Sequence, residues 1–225
     1  MINRLDWDSN FFEIEIGELI SQENFNYENA DTFDLFYIKS NKDFELEINN
    51  FENTFSENKV VFSKILNFSK RSKNNIFSVS KIDYKIEDIY ELAYESGKFS
   101  RFFLDNNFTM EKFKELYKKW VDNSISKLFA DDLFVYQEDN KTIGFLTYKI
   151  KNEIATIGLI AVSQNQQGKG IGGKLLNYLE NFLFKSNINI LSIPTQENNI
   201  AACNFYKKQG YNINEKTIVK HYWKK

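Results

Sequence analysis

The chain has a single cysteine, a single histidine and no long apolar run, and each scarcity removes a class of function. Cys203 cannot close an internal disulfide, which fits a reducing compartment. With His221 as the only histidine, a zinc site would need carboxylates, and none stands at a recognisable ligand spacing, so no metal is expected. A catalytic thiol needs a base beside it; Cys203 falls inside the helix expected from Asn199 to Gln209, where a small side chain packs. Neither sign of charge dominates: 29 Lys and Arg against 31 Asp and Glu leave a formal net charge of -2. Without a basic run or interleaved aromatic and basic residues, nucleic acid is not an expected partner. No stretch approaches the roughly 20 apolar residues of a membrane span, so no membrane insertion is expected. The opening MINRLDWDSNFF carries two acids and does not read as a secretory signal, and the expectation is a soluble, cytoplasmic protein.

What is present is enough for a substantial core. The 225 residues are 42% hydrophobic and suffice for one large domain or two small ones. Residues 1–75 read as a separate α/β unit. Its strands are expected around Ile14 to Ile20, Phe33 to Ile38 and Val60 to Leu66, with a helix from Phe44 to Phe55. The polar run Ser69 to Asn75 reads as an exposed connector. From 76 to 225 the periodicity gives a strand IFSVSKI, a helix Ile86 to Ser96, an irregular aromatic segment SGKFSRFFLDNNF, and a helix opened by Thr109 and running through Val121. Strands follow at Leu133 to Gln137, Thr142 to Tyr148 and Glu153 to Val162, turned at EDNK and at Lys151–Asn152. A helix from Ile171, a strand Ile188 to Ile193, the Asn199 helix and a strand Lys216 to Trp223 complete the order.

The stretch Thr156 to Gly173, TIGLIAVSQNQQGKGIGG, passes from an apolar strand through a glycine-rich turn into a helix. That layout suits an anion held by main-chain amides at the positive end of a helix dipole. Gly168, Gly170 and Gly173 satisfy the dinucleotide pattern G-x-G-x-x-G, but the next strand runs into Pro194 and Thr195 instead of ending in the required acid. Gly168, Gly173 and Lys174 fit most of a triphosphate loop, yet Leu175 occupies the place of its magnesium-binding hydroxyl. Gln167, Gly170 and Gly172 match Q/R-x-x-G-x-G/A, and Asn199, Ala202 and Tyr206 match N-x-x-A-x-x-x-Y with a trailing Gly-Tyr. On these two motifs the sequence resembles the GCN5-related N-acetyltransferase superfamily.

The resemblance implies the acyl-CoA N-acyltransferase fold, an α/β mixed sheet with an antiparallel centre flanked by helices, here with a smaller amino-terminal α/β domain. It implies acetyl-CoA as co-substrate. Gln167, Gly168, Lys169, Gly170, Ile171 and Gly172 would hold its pyrophosphate, the strand residues Ile160, Ala161 and Val162 would pair with the pantetheine arm, and Asn199 and Ala202 would line that arm. Tyr206 takes the family's general-acid place. It lies seven residues beyond Asn199 on one helix face, about 10 Å along the axis. LDWDSNFF, SRFFLDNNF and LYKKWVDNS extend the resemblance to the dTDP-fucosamine acetyltransferase group, which acetylates the 4-amine of a nucleotide-linked dideoxy sugar for surface polysaccharide. In that reading Ser100, Arg101, Phe102 and Asp105 lie over the acceptor, with Arg101 able to fork onto a phosphate. Trp7, Tyr117 and Trp120 read as core or stacking aromatics, and Glu153, Glu197 and Asp105 as the carboxylates available for a general base. Other acceptors remain open: a protein amino terminus, an antibiotic amine, or a polyamine met by Asp131 and Asp132. So do a non-catalytic acyl-CoA-binding role and a homodimer.

Overall fold

The computed structural model describes residues 1–20, 25–67 and 75–225. The expected connector Ser69 to Asn75 lies outside the described residues except for Asn75. In chain order the elements are β1 (Asn3–Arg4), α1 (Asp6–Phe12), β2 (Ile16–Ile20), β3 (Leu35–Ser40), β4 (Phe51–Ile65), β5 (Ile76–Ser78), α2 (Ile86–Ser96), α3 (Arg101–Leu104) and α4 (Met110–Ile125). Then come β6 (Asp132–Glu138), β7 (Lys141–Lys151), β8 (Ile154–Val162), α5 (Ile171–Lys185), β9 (Ile190–Gln196), α6 (Ile200–Lys208) and β10 (Asn212–Lys224).

Local chemistry accounts for several of these boundaries. Thr109 caps α4 by accepting the Lys112 N–H at 3.2 Å. The β6–β7 hairpin turns on Asp139 and Asn140, both at positive φ, as a two-residue turn between twisted strands requires. The next hairpin turns on Asn152 and Glu153 in the same way, so β8 begins at Ile154, one residue later than expected.

The ten strands of the described residues form one sheet, ordered β1-β2-β3-β10-β4-β9-β8-β7-β6-β5. The boundary expected at residue 75 is therefore not a boundary between sheets. β10 is 13 residues long and has both edges covered, by β3 from Ile218↔Ser40 to Trp223↔Leu35 and by β4 from Asn212↔Ser63 to Lys224↔Phe51. β4 in turn pairs with β9, so a strand of the amino-terminal segment stands between two strands of the carboxy-terminal one. The helix expected from Phe44 to Phe55 is not formed. Phe44, Ile48 and Phe51 are buried as their spacing suggested, but under a loop and the start of a strand, against Phe36, Ile38 and Tyr222. A helical period of apolar residues was met by an irregular segment because the long β10 edge drew residues from Phe51 onward into pairing.

Side chains alternate between two cores. Leu146, Ile157 and Ile193 pack under Leu175, Leu179 and Leu183 of α5 on one face. Phe145, Val135 and Val219 pack under Leu92, Phe113 and Leu116 of α2 and α4 on the other. Between α3 and β10 the second core closes on a polar knot. His221 is fully buried, with Nδ1 2.6 Å from Asp105 Oδ2, and the Trp223 indole N–H donates to the same oxygen at 2.9 Å. The other oxygen of Asp105 accepts the main-chain and side-chain N–H groups of Asn107 at 3.1 and 3.0 Å. Burial pushes the His221 ring down to about 4, with the Asp105 bond opposing it, so the ring is neutral and donates from Nδ1.

This knot makes a pH prediction. The folded pKa of His221 lies below its ordinary 6.5, so the unfolded chain takes up the proton first and acidification between about 6.5 and 4 favours unfolding. Asp105, which burial would raise but its bonds from His221, Trp223 and Asn107 hold below 3.8, acts only at lower pH. Urea unfolding measured from pH 7 to 4.5 will show a loss of stability, on the order of 3 kcal/mol over the full window from this ring, that is smaller in His221→Gln.

Candidate active site

The site begins with a defect in the sheet. β8 and β9 run parallel and register only at Ile154↔Ile190, Ala155↔Leu191 and Thr156↔Ser192. Beyond those three pairs they part. On the other side of β8 the pairing with β7 skips from Leu146↔Ile160 to Tyr148↔Ile157, so Gly158 and Leu159 together face Thr147. The buried Thr147 hydroxyl accepts the Leu159 N–H at 2.9 Å. A Cβ on Gly158 would come within 2.9 Å of that oxygen, which is why glycine stands there. Such a bulge bends its strand, and here it accompanies the departure of β8 from β9. β9 carries Pro194, which has no N–H to offer, in the part that has lost β8 as a partner. The result is a cleft of about 980 Å³ lined by Ile157 to Val162 on one side and Ile193 to Gln196 on the other.

One end of the cleft is the start of α5. Gly168 and Gly170 have φ of 78° and 80°, the left-handed region in which glycine carries no steric cost, and open space surrounds the place where a Cβ would stand on either. Gly170 is the N-cap and no side chain caps the helix, leaving first-turn amides directed at the cleft with the positive end of a 15-residue helix behind them. A Cβ on Gly172 would meet the Phe205 ring at 3.1 Å, so that glycine lets α5 sit close to α6. Gln167 reaches back to donate to the Val162 carbonyl at 3.1 Å.

α6 forms the floor. Asn199 caps it by accepting the Ala202 N–H at 3.1 Å. Tyr206 is 4% exposed, packs against Phe62 and Tyr211, and lines the cleft; among the described residues its hydroxyl has no hydrogen-bond partner. Burial raises its pKa far above that of an ordinary phenol, so the proton stays on. Cys203 turns away, with its sulfur near the Gln196 and Glu197 carbonyls, and burial raises its thiol as well. It is a packing residue.

The far end opens toward α1, α3 and α4. Ser100, Arg101 and Phe102 line it as expected, and the Arg101 guanidinium lies over the Tyr37 ring at 4.0 Å and the Phe102 ring at 4.7 Å. Asp105 does not line it: both carboxylate oxygens are used by His221, Trp223 and Asn107, and the residue is 1% exposed. Lys169 is the second departure, since its side chain lies outside the cleft and bonds Gln166 at 2.7 Å. The other expected residues, Ile160, Ala161, Val162, Gln167, Gly168, Gly170, Ile171, Gly172, Asn199 and Ala202, all border the cleft. Glu153 sits in a hairpin turn, Glu197 is paired with Lys216, and Asp131 and Asp132 are tied to Lys149 and Ser78. None of these four lines the cleft.

Sequence reasoning missed Lys39, Glu57 and Lys59, which β3 and β4 bring into the far end. Glu57 is 8% exposed, and its Oε2 is sealed from solvent without a partner. Burial raises its pKa, opposed by Arg101, Lys59 and Lys39. Its only signal in the sequence is a carboxylate between Phe55 and Val60, ahead of the strand expected from Val60, whereas β4 begins at Phe51. Among the described residues no group of three or more His, Cys, Asp or Glu side chains could hold a metal, and no helix is long and apolar enough to cross a membrane.

Comparison with known proteins agrees with this geometry. The acetyltransferase (GNAT) family model matches residues 86–211, more than half of the chain. The spore coat polysaccharide biosynthesis protein SpsD of Bacillus subtilis is 26% identical over 137 residues, which cover 61% of this chain and only 47% of SpsD, so the match spans about half of that relative's length. Streptothricin acetyltransferase A of Bacillus subtilis is 28% identical over 127 residues, covering 54% of this chain and 69% of that protein. The structure of PaiA N-acetyltransferase from Thermoplasma acidophilum in complex with coenzyme A superposes with a TM-score of 0.50 at 20% identity, over 68% of this chain and 100% of that one; this likeness bears on the fold.

The bulge is the testable element. Thr147→Val keeps the shape of the side chain and leaves the Leu159 N–H without its acceptor, and it is expected to lower stability by about 1–3 kcal/mol. Thr147→Ser, which keeps the hydroxyl, should recover most of that loss. Urea midpoints of the three proteins decide it, and equal midpoints for the valine variant and wild type would show that the bond does not hold the bulge.

Proposed function

We propose that this chain, which belongs to the acetyltransferase (GNAT) family, moves the acetyl group of acetyl-CoA to the 4-amine of a nucleotide-linked amino-dideoxy sugar. The observation that carries the reading is the fork between β8 and β9, because it joins an uncapped helix start to a buried phenol and a charged far end in one continuous cleft. The α5 amides receive the pyrophosphate of acetyl-CoA. The main chain of Ile160 to Val162, free of a strand partner on the side away from β7, pairs with the pantetheine arm as an added strand would. Asn199 and Ala202 border that arm.

The chemistry follows from this placement. The acceptor nitrogen attacks the thioester carbonyl, the C–N bond forms, and the C–S bond breaks as the coenzyme A thiolate leaves. A main-chain N–H of β8 faces the thioester oxygen as its negative charge develops. Tyr206, protonated and desolvated, donates to the sulfur. The amine proton passes to Glu57, whose raised pKa brings a carboxylate closer to neutrality and makes it a better acceptor. Attack occurs in a ternary complex, since neither the amine nor the thioester needs a covalent relay through Cys203.

The acceptor assignment leans on the far end of the cleft and on the name of SpsD, a polysaccharide biosynthesis protein. Residues before 75 supply Trp7, Asp8, Lys39, Glu57 and Lys59 to that end, which is the part we give to the amino-terminal unit. The cytoplasm, where acetyl-CoA and sugar nucleotides meet, is the location this reading implies. The likeness to streptothricin acetyltransferase A favours a second reading, acetylation of an antibiotic amine on the same machinery.

Two measurements test the proposal. Mass spectrometry of dTDP- and UDP-linked 4-amino sugars incubated with acetyl-CoA should find an acetylated product, and none from the whole panel would move the assignment to the second reading. Tyr206→Phe should keep its affinity for acetyl-CoA, measured by calorimetry, while turnover measured by thiol release falls about 10²-fold or more. Undiminished turnover would remove Tyr206 from the mechanism.

A further inference from the structure

Among the described residues two lysines line the cleft, and only one of them is at liberty to turn into it. Lys39 on β3 is held in an ion pair by Glu18 on β2. Lys59 on β4 has neither an ion pair nor a side-chain hydrogen bond among the described residues. It stands opposite Gln196 of β9 and Thr217 of β10. Because β9 is the strand that parts from β8, Lys59 lies one strand from the fork, about 5 Å across the sheet. Glu57 comes two residues earlier and shares its face, opposite Val219, whose side chain belongs to the core under α2 and α4. Lys59 therefore points to the side on which the far end of the cleft opens. That end is balanced in charge, with Asp8, Glu57 and Glu95 set against Lys39, Lys59 and Arg101. Loss of water in the cleft lowers the Lys59 pKa first, and the like charges of Lys39 and Arg101 lower it further, while Glu57 and Glu215 oppose them. More of Lys59 is then the neutral amine, the form that attacks a carbonyl. Glu57 beside it is more than nine-tenths buried, with Oε2 sealed and unpartnered, so a proton acceptor stands next to the nucleophile.

Resting on the acetyltransferase reading above, we propose that Lys59 is a self-acetylation site: when no acceptor fills the far end, the chain acetylates its own Lys59 from acetyl-CoA bound in the cleft. The Lys59 nitrogen attacks the thioester carbonyl, the C–N bond forms and the C–S bond breaks. The amine proton passes to Glu57, the leaving thiolate takes the Tyr206 proton, and water carries a proton from Glu57 back to Tyr206. Nothing is oxidised or reduced, and the products are Lys59 acetylated on its Nζ and coenzyme A. The flexible four-carbon stem of a lysine lets the nitrogen swing toward β9, a freedom that Lys39 gives up to Glu18.

The test incubates the full chain with acetyl-CoA and no added amine, and follows acetylated peptides over time by mass spectrometry. Lys59 is expected to gain its acetyl group about 10²-fold faster than the exposed Lys141 and Lys151, because it alone meets the bound thioester. Lys39 is expected to stay unmodified. Excess coenzyme A, which competes for the cleft, should protect Lys59 and leave the slow chemical acetylation of Lys141 unchanged. Lys59→Arg keeps the charge without an amine that can be acetylated, and should lose the early phase of thiol release. Lys59 modified no faster than Lys141, or left unprotected by coenzyme A that calorimetry shows to be bound, would overturn the inference. Failure of coenzyme A to bind at all would instead count against the acetyltransferase reading and take this inference with it, and the calorimetry tells the two outcomes apart.

Discussion

The donation of the Leu159 N–H to the Thr147 hydroxyl, in place of a regular β7 carbonyl, is the interaction on which the cleft depends. It absorbs the extra residue that bends β8, and a bent β8 cannot stay in register with β9 past Thr156. An opening in the middle of a sheet is costly, because main-chain donors and acceptors on both flanking strands lose their partners. The chain tolerates it where Pro194 has no donor to lose, and where an extended ligand can supply the missing pairing. Because the two faces of the sheet carry different helices, a hole through it connects them: α5 and α6 on one face, α1, α3 and α4 on the other.

That connection divides the labour between the halves of the chain. The residues around the glycine turn and α6 come from the carboxy-terminal part, whereas Glu57 and Lys59 reach the far end only because β4 is inserted between β9 and β10. Burial then shifts two groups of the cleft in one direction with one physical cause. Desolvation disfavours the charged form of any group, so it keeps the Tyr206 proton in place and raises the basicity of the Glu57 carboxylate. The same effect raises the Cys203 thiol and leaves it inert.

Parts of this arrangement were legible in the sequence because they depend on local backbone demands. Gly168 and Gly170 sit at positive φ in a strand-to-helix turn, and Asn199 caps the helix it opens, so residue type and spacing were sufficient. The far end was illegible for the complementary reason. Glu57 and Lys59 acquire meaning from the partners of β4, which lie more than a hundred residues away in sequence at Gln196, Thr217 and Val219. The apolar positions Phe44, Ile48, Phe51 and Phe55 fit a helical stripe, and only competition from the β10 edge decides otherwise. Nothing in the residue type of Lys169 or Asp105 says which way its side chain points.

Asp105 shows how a misplaced ligand can matter more as an anchor. It was expected to touch the acceptor, yet it faces β10 and holds His221 and Trp223, while Arg101 four residues earlier faces the cleft. α3 is only four residues long and cannot hold its orientation by its own hydrogen bonds. The buried bonds of Asp105 to β10 fix one end of that short segment, and the Tyr37 ring on β3 fixes the Arg101 side chain at the other. Since β3 and β10 are neighbours in the same sheet, the guanidinium is positioned by the sheet itself and not by the loop that carries it. A cation held this way loses little freedom on binding an anion, which is the condition under which a single charged contact contributes to affinity.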